Sequence, residues 1–397
     1  MSQAPSRVLH IIDSFNMGGA ETWLLELVRH RSRHRPDLPP FDFLAAGGQK
    51  GILDDEVLSH GCRIFYLKLD RKSPLSFLRG FRRILGSEDY LAIHDHQDFL
   101  SGWHFLFGAG LLPKVRVTHV HNPYYQVSNN YGVTSMRRMN QRVGRMLMGY
   151  FSTHILGTSR KLLGEYGMVT SEYPGQKVGA LYCAFRLSRY KGLHAERKAA
   201  FCAEMGWSPD DTRIVLFAGR MDVSTEIGHL RNHKNSRFAL EVIHALEDPN
   251  VRMVMAGAND YVIDEFMQVV REKGLEGRIR PLGIRKDLPE LMLAADVLLF
   301  PSRSEGMGMV AVEAQAAGCP VLASEDVPRE IVVIEELVQF QSLQSPFSEW
   351  AAALSRMIAR RRETDSTEDA RWSDSPFNID VCCTRLAECY IHGRLSA

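Results

Sequence analysis

Short apolar segments alternate with amphipathic segments along nearly the whole chain. In the first series, apolar strand patterns occupy 8–12, 41–46, 63–69, 91–96, 115–121 and 154–159. A second series starts after about residue 207, with strand patterns at 213–219, 251–257, 279–283, 297–302 and 320–324. A helical pattern follows most of these strands, and this alternation requires parallel strands in a sheet that helices cover on both faces. The sequence therefore predicts an α/β protein with two doubly wound, Rossmann-like domains.

The two series define the domain organisation. We predict an N-terminal, acceptor-side domain over 1–190, a C-terminal domain over 191–375, and a last helix over 376–397 that packs back on the N-domain. The length of 397 residues agrees with two domains. The polar segment 186–212 contains few aliphatic residues and is interpreted as the linker. Ligands of open parallel sheets bind beyond the carboxyl ends of the strands, so we expect the domains to face each other across a ligand-binding cleft.

Charge and cysteine content exclude several classes of protein. The formal net charge is +1, which argues against a nucleic-acid-binding protein that relies on bulk charge. Up to Lys191 the chain has 25 Lys and Arg against 15 Asp and Glu, whereas the rest has 23 against 32. The basic first half suits an anionic partner such as a membrane surface, or is merely an uneven surface charge. Seven cysteines without a CxxC pair, and no apolar segment that could span a bilayer, predict a cytoplasmic protein.

The segment 302–324 contains the residues that are most informative about the ligand. An apolar strand ends in a loop with Glu305, Gly306 and Gly308, and a helix pattern then runs from about Met309 to Gly318. The first-turn amides of such a helix, reached through glycines, form an anion site suited to a diphosphate. Glu305 and Glu313 add two carboxylates that accept hydrogen bonds from vicinal hydroxyls. This combination predicts a nucleotide-sugar site.

The same residues carry a family resemblance. The segment EGMGMVAVEAQAAGCPVLAS (305–324), with its E-x7-E element, resembles the retaining GT-B glycosyltransferases of family 4. Other segments that resemble this family are RVLHIIDSFNMGGAE (7–21), VRVTHVHN (115–122), HILGTSRKL (154–162), LFAGRM (216–221), RPLGIRKDLPELMLAADVLLFPSRSEG (280–306) and FNID (377–380). Within the family the chain looks most like enzymes of capsular polysaccharide and exopolysaccharide assembly. The resemblance implies the GT-B fold and transfer of a hexose from a UDP- or GDP-linked sugar to a saccharide or lipid-linked acceptor.

The resemblance also implies roles for single residues. Glu313 would bind the ribose hydroxyls and Glu305 the donor hexose. The amides of four consecutive residues would bind the sugar and phosphate: Gly306, Met307, Gly308 and Met309. Arg220 and Lys234 would bind the diphosphate, where two cations stabilise the charge that develops on the leaving group. No two Asp are two positions apart, so a DxD metal element is absent. We therefore expect no metal and no other cofactor.

Two positions depart from the family pattern. Arg220 and Lys234 are fourteen positions apart, whereas the family usually has a short loop there, and Arg231 is a second candidate for the diphosphate cation. We favour Lys234, because Asn235 follows it and a helix pattern starts directly afterwards. At 183–185 the chain has Cys-Ala-Phe where relatives often have Asn-Gly, which concerns the hinge rather than the chemistry.

The N-terminal domain contributes three further candidates. Gly18 and Gly19 lie at a strand-to-helix turn, where they permit close approach of the donor phosphates or of the acceptor. His119 and His121 alternate at the end of a strand and point to one face. The resemblance assigns His121 to the donor sugar near the reacting carbon, while a metal-binding pair or two structural histidines remain as alternatives. His94 and His96 are interpreted as structural.

The segment 135–151 predicts a basic amphipathic helix. Four arginines alternate there with apolar residues, namely Arg137, Arg138, Arg142 and Arg145. Such a helix lies on an anionic membrane, grips a lipid-linked acceptor, or packs on the core with a solvated basic face. The first two alternatives would place the protein peripherally on the inner face of the membrane.

The function that we expect is retaining, metal-independent hexosyl transfer in cell-surface polysaccharide assembly. By resemblance the acceptor attacks from the front face, and the leaving phosphate assists removal of its proton. A small-molecule or natural-product acceptor remains an alternative. A nucleotide-sugar epimerase and a non-catalytic GT-B binding subunit remain as alternatives of another class. A dinucleotide oxidoreductase would need GxGxxG after the first strand, which NMGGAE does not supply.

Overall fold

The computed structural model shows two compact units, each built around one parallel sheet. It describes residues 6–16, 18–69, 74–124, 126, 135–168, 175–221, 227, 229, 232–258, 260–361 and 370–395. The first unit comprises Met1–Arg186 and Pro376–Ala397, and the second comprises Leu187–Ser375. None of the helices within these ranges is long and apolar enough to cross a membrane.

Seven strands form the sheet of the first unit within the described residues. In chain order they are β1 (Val8–Ile12), β2 (Phe41–Ala45), β3 (Arg63–Tyr66), β4 (Ala92–Asp95), β5 (Val115–Val120), β6 (His154–Gly157) and β7 (Lys177–Ala180). Their order in the sheet is β3-β2-β1-β4-β5-β6-β7, and every neighbouring pair is parallel. The intervening helices are α1 (Gly19–His34), α2 (Asp54–Ser59), α3 (Pro74–Gly86), α4 (Leu100–Gly108), α5 (Ser135–Phe151) and α6 (Arg160–Glu165).

The second unit repeats this architecture with six described strands. They are β8 (Arg213–Met221), β9 (Val251–Ala258), β10 (Ile279–Gly283), β11 (Val297–Phe300), β12 (Val321–Ser324) and β13 (Val338–Gln341), in the order β10-β9-β8-β11-β12-β13. All pairs are parallel. The helices are α7 (His194–Met205), α8 (Ser236–His244), α9 (Asp260–Glu272), α10 (Leu288–Ala294), α11 (Met309–Ala316), α12 (Phe347–Ile358) and α13 (Ala370–Ser373).

The apolar patterns explain why these segments form buried strands. All residues of β1, β2 and β4 are buried, as expected for strands that helices cover on both faces. On one face of the first sheet, Leu9 and Ile11 pack with Phe77, Phe81 and Phe105 of the adjacent helices. The two-domain α/β prediction is therefore confirmed, and the strands predicted from apolar segments are present.

The C-terminal helix, α14 (Ile379–His392), belongs to the first unit. The side chain of Asn378 caps its start by accepting a hydrogen bond from the Asp380 amide. The amide of Phe185 donates to the Phe377 carbonyl (3.0 Å), and the amide of Ile379 donates back to the Phe185 carbonyl (3.2 Å). These reciprocal bonds attach the start of α14 to Phe185, which lies on the chain segment that follows β7.

The interpretation of 186–212 as a linker is wrong for its central part. Residues His194–Met205 form α7, which packs in the second unit. The reason is a buried polar contact: Lys198 Nζ lies 3.0 Å and His194 Nε2 lies 3.2 Å from Asp296 Oδ1. The Ile214 amide donates to Asp296 Oδ2 (2.6 Å). Burial alone would raise the pKa of Asp296, but the hydrogen bonds from His194, Ile214 and Lys198 outweigh it and lower that pKa.

We expect Asp296→Asn to destabilise the second unit by about 3 kcal/mol, because it leaves the Lys198 ammonium buried without a counter-charge. Urea unfolding at pH 7 measures this, with the exposed Glu276→Gln as the matched control. Because the folded-state pKa of Asp296 is lowered, its contribution is present at neutral pH and is lost as the pH falls through that pKa. Equal unfolding free energies for Asp296→Asn and Glu276→Gln would contradict this role.

Candidate functional site

Glycines at the carboxyl end of β8 and β9 bring Lys234 to the sheet edge. Gly219 has φ +154°, and a Cβ atom there would lie 3.0 Å from Cδ of Lys234. At Gly257, with φ +109°, a Cβ atom would collide with the Gly219 carbonyl. The aliphatic stem of Lys234 therefore packs directly on the backbone that precedes Arg220. Both cations begin at the same edge, although they are fourteen positions apart in the sequence.

Hydrogen bonds join the turn that carries Lys234 to the loop after β11. Asn235 Nδ2 donates to the Pro301 carbonyl (3.2 Å), and the Arg303 amide donates to the His233 carbonyl (2.8 Å). Asn235 has φ +62°, a left-handed conformation that asparagine tolerates, and α8 starts at the next residue. This geometry explains why an asparagine follows the lysine.

Lys234 and Glu305 form an ion pair at this edge. Lys234 Nζ lies 2.6 Å from Glu305 Oε1, and it also lies over the Phe300 ring at 5.4 Å from the centroid. Both side chains are mostly buried, with exposed fractions of 23 % and 10 %. Partial burial strengthens the attraction between the two charges relative to an exposed pair. The sequence-based prediction assigned these residues to separate parts of the donor, and the structure brings them into direct contact.

The glycine loop leads into α11, which begins at Met309 as predicted. Gly308 precedes the helix with φ +93°, a conformation that favours glycine, and a Cβ atom there would lie 3.0 Å from the Phe300 ring. Gly306, Met307 and Gly308 are buried, while Met309 is partly exposed. The helix therefore starts beside the Lys234–Glu305 pair, with its positive end at the carboxyl edge of the sheet.

Glu313 and Arg220 complete the predicted set in the second unit. Glu313 is the fifth residue of α11 and is partly exposed, so its carboxylate lies about one turn beyond the loop that holds Glu305. Arg220 is exposed near the end of β8. Arg231, the alternative cation, lies outside the described residues. This edge combines two cations, two carboxylates and a helix N-terminus, which together can bind an anionic ligand that also has hydroxyl groups.

The glycine turn of the first unit has a different electrostatic character. Gly18 caps α1 in an extended conformation, and a Cβ atom there would collide with the Glu21 carboxylate. A Cβ atom at Gly19 would meet no heavy atom of the described residues within 4 Å. The first turn of α1 thus already has a negative charge beside it.

His121 directly follows β5, and Asp98 holds its backbone. The Asp98 carboxylate accepts hydrogen bonds from the His121 amide (2.9 Å) and from Nδ2 of Asn122 (2.9 Å). Asp98 is buried and has φ +48°. Its burial raises the pKa of the carboxyl to about 6 despite these hydrogen bonds. Asp98 was not singled out in the sequence, because only the fold brings it to His121.

His121 belongs to a cluster of five histidines at the carboxyl side of three adjacent strands. The cluster comprises His10 on β1, His94 on β4, His96 after β4, His119 on β5 and His121. Ring nitrogens of neighbouring members lie 3.0–3.2 Å apart. Burial lowers the pKa of both His10 and His121 to about 3, and lowers those of the other three well below the usual value. His94 and His96, interpreted as structural from the sequence, are buried, and His96 lies directly beside His121.

Two sets of these imidazoles are close enough to be considered for a metal ion. In each set one ring nitrogen per residue lies within 4.8 Å of the others: His10 with His94 and His96, and His96 with His119 and His121. Neutral imidazole is a common metal ligand. The rings of His94 and His96, however, stack at a centroid distance of 4.2 Å and 27°. The lone pairs of stacked imidazoles run side by side instead of converging, which does not suit an ion shared by His94 and His96.

Comparison with known proteins supports the interpretation of the second unit. Residues 212–360 match the family described as glycosyl transferases group 1. The chain is 28 % identical over 367 residues to the putative glycosyltransferase EpsF of Bacillus subtilis, covering 91 % of this chain and 90 % of EpsF. It is 23 % identical over 392 residues to the capsular polysaccharide biosynthesis glycosyltransferase CapH of Staphylococcus aureus, covering 97 % and 98 % of the two chains.

A solved structure has the same fold. Anabaena HepE, crystallised in complex with UDP, superposes with a TM-score of 0.76 at 17 % identity, covering 97 % of this chain and all of that one. HepE has also been solved in complex with UDP-glucose. The chain therefore has the GT-B fold, its residues 212–360 match the group 1 glycosyltransferase family, and it is similar in sequence to EpsF and CapH over most of its length.

Proposed function

We propose that the protein transfers a hexose from a nucleoside-diphosphate sugar to a hydroxyl of a saccharide or lipid-linked acceptor, with retention of configuration, in cell-surface polysaccharide assembly. The observation that carries the proposal is the joining of the 232–235 turn to the 301–303 loop, which places Lys234 against Glu305 at the start of α11. The description of CapH as a capsular polysaccharide enzyme supports the pathway, and the HepE complexes support UDP-glucose as the first donor to test.

The charge of the leaving group determines which groups are needed at the carboxyl edge of the second sheet. Breaking the glycosidic bond adds negative charge to the departing diphosphate, so cations placed there stabilise the transition state more than the ground state. In the proposal Lys234 and Arg220 supply that charge, and the first-turn amides of α11 bind the remaining phosphate oxygens. Glu305 then exchanges part of its contact with Lys234 for hydroxyls of the hexose.

The other residues act on the two ends of the donor and on the acceptor. Glu313 accepts hydrogen bonds from the ribose hydroxyls, since a carboxylate can bind two vicinal hydroxyls at once. His121 contacts the hexose near the reacting carbon. Gly18 and Gly19 leave room for the acceptor. The departing phosphate assists removal of the acceptor proton, so no protein carboxylate needs to form a covalent intermediate.

Lys234→Met and Glu313→Ala should affect nucleotide binding in different ways. Methionine keeps the aliphatic stem that packs on Gly219 but removes the charge, so we expect about tenfold weaker binding of UDP and unchanged binding of uridine. Glu313→Ala removes the ribose acceptor, so it should weaken UDP and uridine alike, also by about tenfold. Isothermal titration calorimetry in EDTA measures both ligands.

The exposed Glu276→Ala in the same unit is the matched control and should bind UDP like the wild type. Equal losses for UDP and uridine in Lys234→Met would contradict the assignment of Lys234 to the diphosphate. Failure of the wild type to bind UDP, with binding of GDP instead, would change the base but leave the roles of the residues intact.

We expect the activity to be independent of metal ions, because the two cations perform the task that a DxD-bound metal performs in other glycosyltransferases. The assay follows UDP release from UDP-glucose in the presence of a saccharide acceptor, with and without EDTA. Unchanged turnover in EDTA supports the proposal. Loss of activity that Mn²⁺ restores would overturn it.

Helix α5 is the proposed contact with an anionic membrane. Its exposed side chains combine charge with apolar groups: Arg138, Met139, Arg142, Met146 and Tyr150. Arg145, which the sequence placed on the same basic face, instead donates to the Tyr166 carbonyl and lies over the Tyr124 ring. The side chain of Arg137 lies outside the described residues. The exposed face is therefore smaller than predicted, but it still presents cations beside apolar groups.

Replacing Arg138 and Arg142 by Gln should weaken binding to vesicles that contain anionic lipid by about tenfold or more, since each cation near such a surface contributes about 1 kcal/mol. Co-sedimentation with liposomes of neutral and anionic composition measures this. The control Arg271→Gln with Lys286→Gln removes the same charge from exposed positions of the second unit. Equal binding to both lipid compositions would rule out the electrostatic contact.

A further inference from the structure

The five buried histidines form two separate hydrogen-bonded chains rather than one cluster. In the first chain, His10 Nδ1 lies 3.0 Å from His96 Nε2, and His96 Nδ1 lies 3.0 Å from His121 Nε2. In the second, the Tyr390 hydroxyl lies 2.6 Å from His94 Nδ1, and His94 Nε2 lies 3.2 Å from His119 Nδ1. The two chains stack on each other, with His94 over His96 and His119 beside His121, both at 4.2 Å between centroids.

The second chain has only one possible arrangement of protons. Its last member, His119 Nε2, lies 3.0 Å from the Leu181 carbonyl, which can only accept, so the proton of His119 is on Nε2. His119 Nδ1 is then an acceptor, so His94 donates from Nε2. His94 Nδ1 in turn accepts from the Tyr390 hydroxyl. Every ring in this chain is neutral, carries its single proton on Nε2 and has both nitrogens bonded.

The first chain allows two arrangements, because a neutral imidazole has one N–H and the chain has no backbone carbonyl at its end. If His96 donates to His121, the protons of all three rings are on Nδ1, and His10 Nε2 is a bare lone pair. If His96 donates to His10, all three protons are on Nε2, and His10 has a buried N–H. The direction in which His96 donates therefore decides which ring nitrogen of His121 carries the proton.

His10 itself discriminates between these arrangements. Its side chain is completely buried, and its Nε2 has no hydrogen-bond partner among the described residues. Buried N–H groups without an acceptor are rarer in proteins than buried acceptors without a donor. We propose that the chain runs from His10 through His96 to His121 and fixes His121 as the tautomer with its proton on Nδ1. His10 and His96 are then positioning residues for His121.

This polarity gives His121 a defined chemical role. His121 is the one member of the first chain that is partly exposed, and its Nδ1 has no hydrogen-bond partner within the described part of the chain. With its proton there, His121 is a hydrogen-bond donor and not a base. It suits an oxygen acceptor such as a sugar hydroxyl. That last step rests on the proposed function, whereas the proton arrangement does not.

Histidine ¹⁵N NMR tests the arrangement directly, because protonated and bare ring nitrogens have well-separated shifts. The full chain is labelled at its fifteen histidines in a deuterated background and assigned by single substitutions. We expect the Nδ1–H form for His10, His96 and His121, and the Nε2–H form for His94 and His119. Observation of Nε2–H or rapid averaging at His121 would overturn the proposal, as would stoichiometric metal in elemental analysis of the purified protein.

Variants of His10 test whether the chain controls His121 at a distance. His10→Phe removes the donor, so His121 should lose its single Nδ1–H form. His10→Asn keeps an N–H near the position of Nδ1 and should restore it. Tyr390→Phe is the matched control, because it alters only the second chain and should leave His121 unchanged. Thermal melts establish that each variant is folded. If His10→Phe does not fold, the spectra of His10→Asn and of the wild type still show which nitrogen of His121 is protonated.

Ligand binding separates this proposal from the proposed function. We expect His10→Phe to bind UDP-glucose about threefold more weakly than the wild type, and to bind UDP equally well, since only the sugar would contact His121. Weaker binding of both ligands would indicate a general structural effect and overturn the positioning role. If the wild type binds neither UDP-glucose nor UDP, the proposed donor is wrong. The NMR spectra still test the proton arrangement in that case, because they do not depend on a ligand.

Discussion

Parallel strand pairing is the constraint on which both candidate sites depend. In each unit every described pair of strands is parallel, so the carboxyl ends of strands that are distant in sequence meet at one edge. In the first sheet β1, β4 and β5 are neighbours, and this brings His10, His94 and His119 together. In the second sheet the same rule brings the ends of β8 and β11 together. The helix that follows β11 then begins with its positive end at that edge.

The predicted chemistry of the second unit was accessible because its signals are local. A strand, a glycine loop and a helix follow one another within 297–316, so Glu305 is placed by the loop directly before the helix and Glu313 by helix periodicity. Lys234 was harder to assign, since a fourteen-residue spacing does not define where a side chain points. Its position depends on two glycines and an asparagine at three different strand or helix ends, namely Gly219, Gly257 and Asn235.

The elements that the sequence did not predict share a different cause. Strands β7 and β13 have four residues each, and none of these residues is fully buried. They therefore lack the continuous apolar run that marks a central strand. Helix α7 buries a lysine, Lys198, which pairs with Asp296, 98 positions away. Long-range pairing of this kind gives no periodic signal. For the same reason the contact of His96 with His121 was not apparent from two separate HxH patterns.

The two sheet edges hold polar groups in place by opposite electrostatic means. At the second edge a cation and a carboxylate lie in direct contact, and Lys234 and Glu305 both remain partly exposed. At the first edge the side chains are more deeply buried, and isolated charges there would be strongly disfavoured. Neutral imidazoles solve this problem, since each can both donate and accept within a chain. Because a neutral ring has a single proton, the position of the proton at the buried end of such a chain also determines whether the exposed end donates or accepts a hydrogen bond. Thus His10, which is completely buried, sets the hydrogen-bonding character of His121 through the intervening ring of His96.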